Sequence, residues 1–464
     1  MAFEIKNCVL KKYAEEIGIN DVIIPDNVTK IESGAFYGCT SLTSVTISDG
    51  VTEIGDCAFA YCTSLISAAI PESVTSIENS TFEGCTSLES ITFPESIISI
   101  GDSAFKQCTD LVSLTIPKSI TRIGNCAFEY CKKLVSVCIP RSVTNLGDYA
   151  FWNCTSLKSV TIPDSITSIG NYTFYNCKSL ESAAIPDSIT SIGAWSFEDC
   201  TSLESVTIPE SVASIGERAF RNCSILKTIT IPDSVTSIGE RAFQDCTSLE
   251  LISIPEKITN IEKSTFNGCS SLTSITIPYS VKSINDCAFS SCSNLKSIII
   301  LNGVKSIGEC AFSHCENLES VTIPDSITSI SDGAFWDCKS LKKVIFENNI
   351  PKIHRLAFSD CTLLPEILLV NVPINEWKDR DCMSKPQAAV GFMNAFIGGT
   401  EFDEELVKAN KKWINSQKKK LLDIVSEYPQ SVVYMTREKL LDNDDVEYIL
   451  EKSADNTEIT TILN

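Results

Sequence analysis

Histidine is nearly absent from this chain, which has only His314 and His354 among its 464 residues. Histidine is the side chain that most often supplies acid–base catalysis near neutral pH, and it is the commonest metal ligand. The chain also lacks a phosphate-binding glycine loop, a nucleophile elbow and an HExxH motif. Both histidines fall at variable positions of a sequence repeat, where surface residues are expected. We therefore expect a protein that is not an enzyme, with no catalytic residue, no cofactor and no metal site.

Positive charge is scarce, because 38 Lys and Arg residues stand against 59 Asp and Glu residues and give a formal net charge of −21. Binding to nucleic acid needs a concentrated basic face that neutralises phosphates, and docking on anionic lipid needs a similar face. The composition therefore argues against both kinds of partner. It favours a basic or polar partner instead.

Long hydrophobic runs are missing as well, since no stretch of about 18 apolar residues occurs in the chain. The N-terminal sequence has charges at Glu4, Lys6, Lys11 and Lys12, where a signal peptide needs an unbroken apolar segment. We therefore expect no insertion into a membrane and a cytoplasmic location. The cell surface is the alternative.

Cysteine, in contrast, is abundant and regularly spaced. Of the 22 cysteines, fifteen follow one another at intervals of 23 residues, with Phe three positions before each and Leu three positions after. These cysteines are at positions 39, 62, 85, 108, 131, 154, 177, 200, 223, 246, 269, 292, 315, 338 and 361. A cysteine at one fixed place in every repeat predicts a packing position rather than a disulfide framework.

Each repeat contains one segment with the alternation of a half-buried β-strand. In the sixth copy we expect Leu157, Val160 and Ile162 to point inward, and Ser159 and Thr161 to point outward. One repeat cannot bury its apolar face alone. Stacked repeats can, at the strand spacing of about 4.8 Å, with continuous columns of Phe, Leu and Cys in the core. The sequence therefore predicts a repeat β-solenoid with 23-residue turns.

The second half of each repeat is predicted to return the chain to the core. Pro163 lacks an N–H and ends the strand, and Ile166 and Ile169 form a second short apolar contact. Gly170 follows, and we expect it to form a turn with a positive φ angle.

The string AFxxCxxLxxVxIPxxVxxIG, repeated over about residues 24–370, resembles the BspA-like (Treponema-type) leucine-rich repeat family. The resemblance implies a curved β-solenoid used for recognition of protein or glycan. Many members of this family are surface adhesins of bacteria and parasitic protists that contact host matrix or other cells. Such adhesins usually carry export signals, and the N-terminal sequence of this chain differs from them there.

Composition and periodicity divide the chain into four predicted segments. They are an N-terminal cap at 1–27, a leucine-rich repeat solenoid of about 15 turns at 28–370, a linker at 371–386 and an all-α region at 387–464. The cap begins with a predicted hairpin at residues 3–13. In the C-terminal region, apolar residues at helical spacing predict a helix around Trp413, with further helices near 429–441 and 443–453. This region either covers the end of the solenoid or forms a separate partner-binding module.

Four additional cysteines lie 18 residues after a repeat cysteine, at Cys57, Cys126, Cys287 and Cys310. Those at 287 and 310 fall in adjacent turns and could stack. A zinc site and a disulfide are both conceivable there, but the C-x₄-C spacing without nearby histidine or aspartate matches zinc sites poorly. We expect packing positions.

The positions that vary between repeats are where a partner could be recognised. The outward strand positions carry mainly Ser and Thr, which offer few anchors for binding. Large residues instead gather at the turn edge of repeats five to nine. We call this set the aromatic–arginine strip: Tyr149, Trp152, Tyr172, Tyr175, Trp195, Arg218, Arg221 and Arg241. Aromatic and arginine side chains dominate protein interfaces, so the hypothesis is that this strip binds a partner.

The function expected from the sequence is that of a non-catalytic, protein-binding interaction scaffold, with a protein, or alternatively a glycan, as its partner. The alternative is a cell-surface adhesin that recognises a host matrix protein or glycan. We expect a monomer.

Overall fold

A computed structural model describes residues 3–15, 18–362, 364, 366–379 and 383–463. Small parts of the predicted cap, solenoid, linker and helical region therefore lie outside the described residues. These parts are residues 1–2, 16–17, 363, 365, 380–382 and 464. The chain divides into two compact units, Met1–Lys257 and Ile258–Asn464, called unit 1 and unit 2 below.

Unit 1 begins with the predicted hairpin. Strands Phe3–Lys6 and Val9–Tyr13 pair antiparallel, and Asn7 and Cys8 between them have φ angles of 53° and 61°. Positive φ at both turn residues matches the right-handed twist of the flanking strands. The second strand then pairs in parallel with Lys30–Ile31 and so covers the first edge of the repeat stack.

Both units are parallel β-solenoids in which every turn can contribute two short strands. The first strand of each turn, in unit 1, is formed by Asp21–Ile23, Ser44–Thr46, Ser67–Ala69, Ser90–Thr92, Ser136–Cys138, Ser159–Thr161, Ser182–Ala184, Ser205–Thr207 and Thr228–Thr230. The second is formed by Lys30–Ile31, Glu53–Ile54, Ser76–Ile77, Ser99–Ile100, Arg122–Ile123, Asn145–Leu146, Ser168–Ile169, Ser191–Ile192, Ser214–Ile215 and Ser237–Ile238.

Unit 2 repeats the pattern with longer first strands. These are Ser274–Ile277, Ser297–Ile300, Ser320–Ile323, Lys343–Phe346 and Glu366–Leu369, and the second strands are Asn260–Ile261, Ser283–Ile284, Ser306–Ile307, Ser329–Ile330 and Lys352–Ile353. The strands pair in register with an offset of 23 residues, as Ser159 with Ser182 shows. The chain has about 16 turns, one more than predicted, because Asp21–Ile23 already pairs as a turn ahead of the first repeat cysteine.

The predicted core columns are confirmed. Stacked phenylalanine rings follow one another at 4.8–5.7 Å between centroids from Phe36 to Phe243 in unit 1. The corresponding rings in unit 2 are 4.9–5.3 Å apart. The cysteine column is buried, and its thiols donate hydrogen bonds to phenylalanine carbonyls, as Cys177 does to Phe151 at 3.3 Å. Each thiol therefore links one turn to the turn before it.

Burial predicts which cysteines react. Cys8 and Cys138 are exposed, whereas the repeat cysteines are buried, and burial raises the pKa of the Cys85 thiol to about 12. Because the thiolate is the nucleophile, iodoacetamide at pH 8 should modify the two exposed cysteines at least about tenfold faster than Cys85. Peptide mapping by mass spectrometry checks this order. Early labelling of Cys85 in the folded chain would contradict the packing role.

The repeat glycine has a different role from the one predicted, because Gly170 has no positive φ angle. A Cβ atom on Gly193, one turn later, would lie 2.6 Å from the carbonyl carbon of Gly170. The glycine is therefore needed because successive turns approach closely, and the prediction of a left-handed turn there was wrong. The left-handed positions lie elsewhere, at residues such as Tyr149 and Asn153, with φ angles of 61° and 59°.

The C-terminal part of unit 2 is helical. Its elements are a 3₁₀ helix at Ile374–Glu376, α1 at Lys385–Ile397, α2 at Glu404–Val425, α3 at Pro429–Arg437, α4 at Asn443–Lys452 and α5 at Thr457–Leu463. Helices predicted near 429 and 443 therefore form as α3 and α4. Among the described residues, no helix is long and apolar enough to cross a membrane.

Helix α1 packs directly on the last strand of unit 2. A Cβ atom on Gly391 of α1 would lie 2.4 Å from the carbonyl oxygen of Ile367, so only glycine permits this approach. Asn394 of α1 donates a hydrogen bond to the Glu366 carboxylate at 2.7 Å. The helices thus cover an edge that a β-solenoid cannot leave open, which is the first of the two roles predicted for them.

Candidate functional site

The aromatic–arginine strip begins with residues in a left-handed backbone conformation. Tyr149, Tyr172, Trp195, Arg218 and Arg241 have φ angles between 52° and 62°. Left-handed backbone is costly for such residues and persists only where the surrounding structure imposes it. Here the N–H of each of the first four donates to a carbonyl in the next turn at 2.7–2.9 Å. These bonds hold the side chains at the spacing of the turns.

Sequence reasoning did not identify this backbone conformation. A signal existed, because the same repeat position carries glycine in two other turns, at Gly34 and Gly333, both with positive φ. The second left-handed position of each turn often carries Asn or Asp, as at Asn176 and Asp199, and these residues tolerate that conformation.

The left-handed residues form one continuous stack. The rings of Tyr149 and Tyr172 lie 4.5 Å apart at an interplanar angle of 8°, and those of Tyr172 and Trp195 lie 5.2 Å apart at 17°. The guanidinium carbon of Arg218 is 3.8 Å from the Trp195 ring centroid. Three aromatic rings therefore end in a cation–π contact, and four consecutive turns share one stack.

The second column of the strip interlocks with the first. Trp152 packs edge-on against Tyr149 at 5.6 Å and against Tyr175 at 6.0 Å, and Tyr175 lies 6.3 Å from Trp195. All eight residues of the strip are half-buried. The structure thus brings the predicted residues together, as a surface whose rings support one another and leave part of each side chain accessible.

Carboxylates balance the arginines of the strip. Arg221 contacts Glu198 at 2.6 Å, Arg218 lies 3.6 Å from Glu217, and Arg241 lies 4.0 Å from the same Glu217 carboxylate. The arginines of the strip therefore do not form a cluster of unpaired positive charge. Glu198 and Arg221 are 23 residues apart, so the repeat spacing already contained a signal for this pair.

Glu198 is the most deeply buried charge of this region. Its side chain is 1% exposed and lies between Tyr175 and Arg221 in the second column. Burial raises the pKa of Glu198 to about 7, although the hydrogen bond from Arg221 acts in the opposite direction. Its second carboxylate oxygen has no hydrogen-bond partner within the described part of the chain. This buried carboxyl lies beside the strip and pairs with Arg221 of the strip.

The two histidines do not form a site together. His314 lies 3.0 Å from Asp337, whereas His354 lies 2.8 Å from Asp332, and all four side chains reach solvent. Cys57, Cys126, Cys287 and Cys310 occupy the left-handed position that Tyr149 occupies in its turn. Within the described residues, no group of three or more His, Cys, Asp or Glu side chains could hold a metal ion.

Comparisons with known proteins agree on the kind of repeat. Residues 10–135, 127–250 and 242–365 match the profile of a family described as a BspA type leucine rich repeat region of six copies. A leucine-rich repeat protein from Bacteroides ovatus is 32% identical, with a TM-score of 0.63, covering 79% of this chain and 91% of its own.

A leucine rich cell surface protein from Faecalibacterium prausnitzii is 30% identical with a TM-score of 0.43. The match covers 73% of this chain and 90% of that protein. A search of curated protein sequences finds no significant match.

Proposed function

The chain belongs to the family of BspA-type leucine-rich repeat proteins, and from this premise we propose that it is a non-catalytic scaffold that binds a protein partner through the aromatic–arginine strip. The observation that supports this proposal is the four-turn stack from Tyr149 to Arg218. Tyr, Trp and Arg are the residue types in which binding energy concentrates.

Preorganisation also supports the strip as a binding surface. Side chains that are already stacked lose little rotational freedom when a partner covers them, so more of the contact energy remains as affinity. The outward strand positions, such as Ser159 and Thr161, carry small hydroxyl side chains. These can bond to neighbouring strands but provide no deep anchor.

Replacing Tyr172, Trp195 and Arg218 together with alanine should weaken binding of a partner by about tenfold to a hundredfold, since each removes part of the stack. Cross-linking in the source cells identifies the partner, and titration calorimetry with the purified partner measures the dissociation constant. A matched variant with Ser159, Thr161 and Ser182 changed to alanine on the strand face should bind as the unchanged chain does. Equal affinity of the strip variant would contradict the proposal.

Membership of the family also supports the second function, a surface adhesin for a host matrix protein or glycan, since this is the role that the family resemblance implies. The sequence predicts a cytoplasmic scaffold, so the two functions differ in location. Protease treatment of intact cells, followed by immunodetection of the chain, separates them. Loss of the chain from intact cells supports the adhesin, and its survival until lysis supports the cytoplasmic scaffold.

A further inference from the structure

In unit 1 the first strands of successive turns form two sheets, and one turn between these sheets contributes no strand. Strands Ser90–Thr92 and Ser136–Cys138 lie on either side of residues 111–117, which form no strand among the residues described. The inward residue here is Leu114, where the neighbouring turns have the β-branched Ile91 and Val137.

The interruption leaves backbone groups without partners. Within the described part of the chain, no backbone hydrogen bond involves the N–H or C=O groups of residues 113–116. The segment stays within the stack, because the N–H of Val112 donates to Glu89 at 3.3 Å and the N–H of Val135 donates to Val112 at 3.2 Å, so the interruption is local.

A cavity of about 480 Å³ opens at the same place. Leu114, Ile116 and Pro140 supply its apolar surface, Cys138 contributes a thiol, and Lys118 and Arg141 supply its charges. We call this the basic cavity. Its size and its mixture of apolar surface with a few polar groups are typical of ligand-binding cavities.

The charged residues of the basic cavity differ in sign from the residues at the same position of the flanking repeats. The position after the strand-ending proline is acidic in the flanking turns of unit 1, at Glu72, Glu95, Asp164, Asp187, Glu210, Asp233 and Glu256. It is basic only at Lys118 and Arg141. Neither side chain makes an ion pair with any described residue, and both are exposed. The segments from Leu111 to Ser119 and from Leu134 to Ser142 contain no carboxylate.

We propose that the basic cavity binds an extended, acidic segment of a protein partner. A carboxylate of that segment pairs with Arg141 and Lys118, since guanidinium groups bind carboxylates with two hydrogen bonds. An adjoining apolar side chain enters between Leu114 and Pro140.

A protein occupant fits better than a charged sugar because the surroundings are apolar. Val112 and Val135 belong to the same two turns, on the strand face, and their side chains are 46% and 39% exposed. Alternating apolar and acidic side chains on one extended segment would match these valines and the cations together. This surface is separate from the aromatic–arginine strip and goes beyond the function proposed above.

The test uses the full chain and an end-capped peptide of seven residues that alternates glutamate with valine. Fluorescence anisotropy of the labelled peptide measures binding. The double variant Lys118→Glu and Arg141→Asp should weaken it by about tenfold or more, and replacing glutamate by glutamine in the peptide should do the same. The two substitutions introduce the residues found at this position in flanking turns, so the variant should fold.

The matched control changes Lys227 and Lys296 to glutamate, which alters the net charge equally on exposed strand-face positions away from the cavity. It should bind the peptide as the unchanged chain does, and so should the strip variant. Equal loss in this control would overturn the proposal, because binding would then follow net charge alone. Stronger binding of an acidic oligosaccharide than of the peptide would overturn the choice of a protein occupant.

Cys138 provides an independent measurement, because its thiol is exposed and lines the basic cavity. Saturating peptide should slow alkylation of Cys138 by about tenfold and leave alkylation of Cys8 unchanged. Unaltered labelling of Cys138 with bound peptide would show that the peptide binds elsewhere and would refute the assignment.

Discussion

Replacing Phe174 with alanine is expected to lower the free energy of unfolding of unit 1 by about 3–5 kcal/mol. The ring is fully buried and stacks between Phe151 at 5.7 Å and Phe197 at 5.3 Å. Alanine would remove both stacking contacts and leave a cavity that the turns on either side cannot close, because hydrogen bonds hold their spacing. Denaturant titration followed by circular dichroism measures the loss.

A solenoid loses stability locally first, since each turn contacts only its neighbours. Hydrogen exchange should therefore show the largest loss of protection between about residues 151 and 200. The matched variant Phe174→Leu keeps most of the apolar volume and should cost about 1 kcal/mol. If the alanine variant unfolded as the unchanged chain does, the phenylalanine column would not be the main source of cohesion between turns.

Replacing Glu198 with glutamine is expected to stabilise unit 1 at alkaline pH and to have little effect under acid conditions. Burial raises the pKa of this carboxyl in the folded chain to about 7, from its ordinary value of 4.5. Between these values the folded chain holds a proton that the unfolded chain has lost, so the stability of the unchanged chain falls as the pH rises. The ion pair with Arg221 offsets part of the cost of burying the charged form, so we expect a loss of only about 1–2 kcal/mol above pH 7.

The glutamine side chain cannot ionise, so the stability of the variant should not fall as the pH rises through this range. The difference between variant and unchanged chain should grow from near zero at pH 4 to its full value at pH 8, as measured by unfolding at several pH values. Glu217→Gln is the matched control, because that carboxylate is 44% exposed in the next turn, where an ion pair contributes little to stability. Parallel pH profiles for the Glu198→Gln variant and the unchanged chain would contradict a buried carboxyl.

Periodicity predicted the core of this protein well. The columns of Phe, Cys and Leu, the inward Val160 and outward Ser159, and the second ladder at Ile169 all follow from one repeat length. A constant interval brings identical positions together in successive turns, so one repeat describes the packing of many.

Predictions that depended on backbone conformation were less successful. Gly170 was predicted to have a positive φ angle, but the left-handed conformation is found at other positions of the repeat, such as Tyr149. The prediction failed because glycine can be required either for a positive φ angle or for the close approach of two turns. The interruption at Leu114 was not expected either, since leucine satisfies the apolar pattern of the repeat.

The sequence by itself determined the repeat length, the in-register stacking and the identity of the residues that face the core, because these depend on spacing along the chain. It also brought the aromatic residues of the strip to adjacent turns. Only the tertiary structure decided that Arg221 pairs with a buried Glu198, and that Lys118 and Arg141 lie beside an open cavity. Ionisation and accessibility depend on how deeply each side chain is buried, and that depth follows from the path of the backbone around each turn.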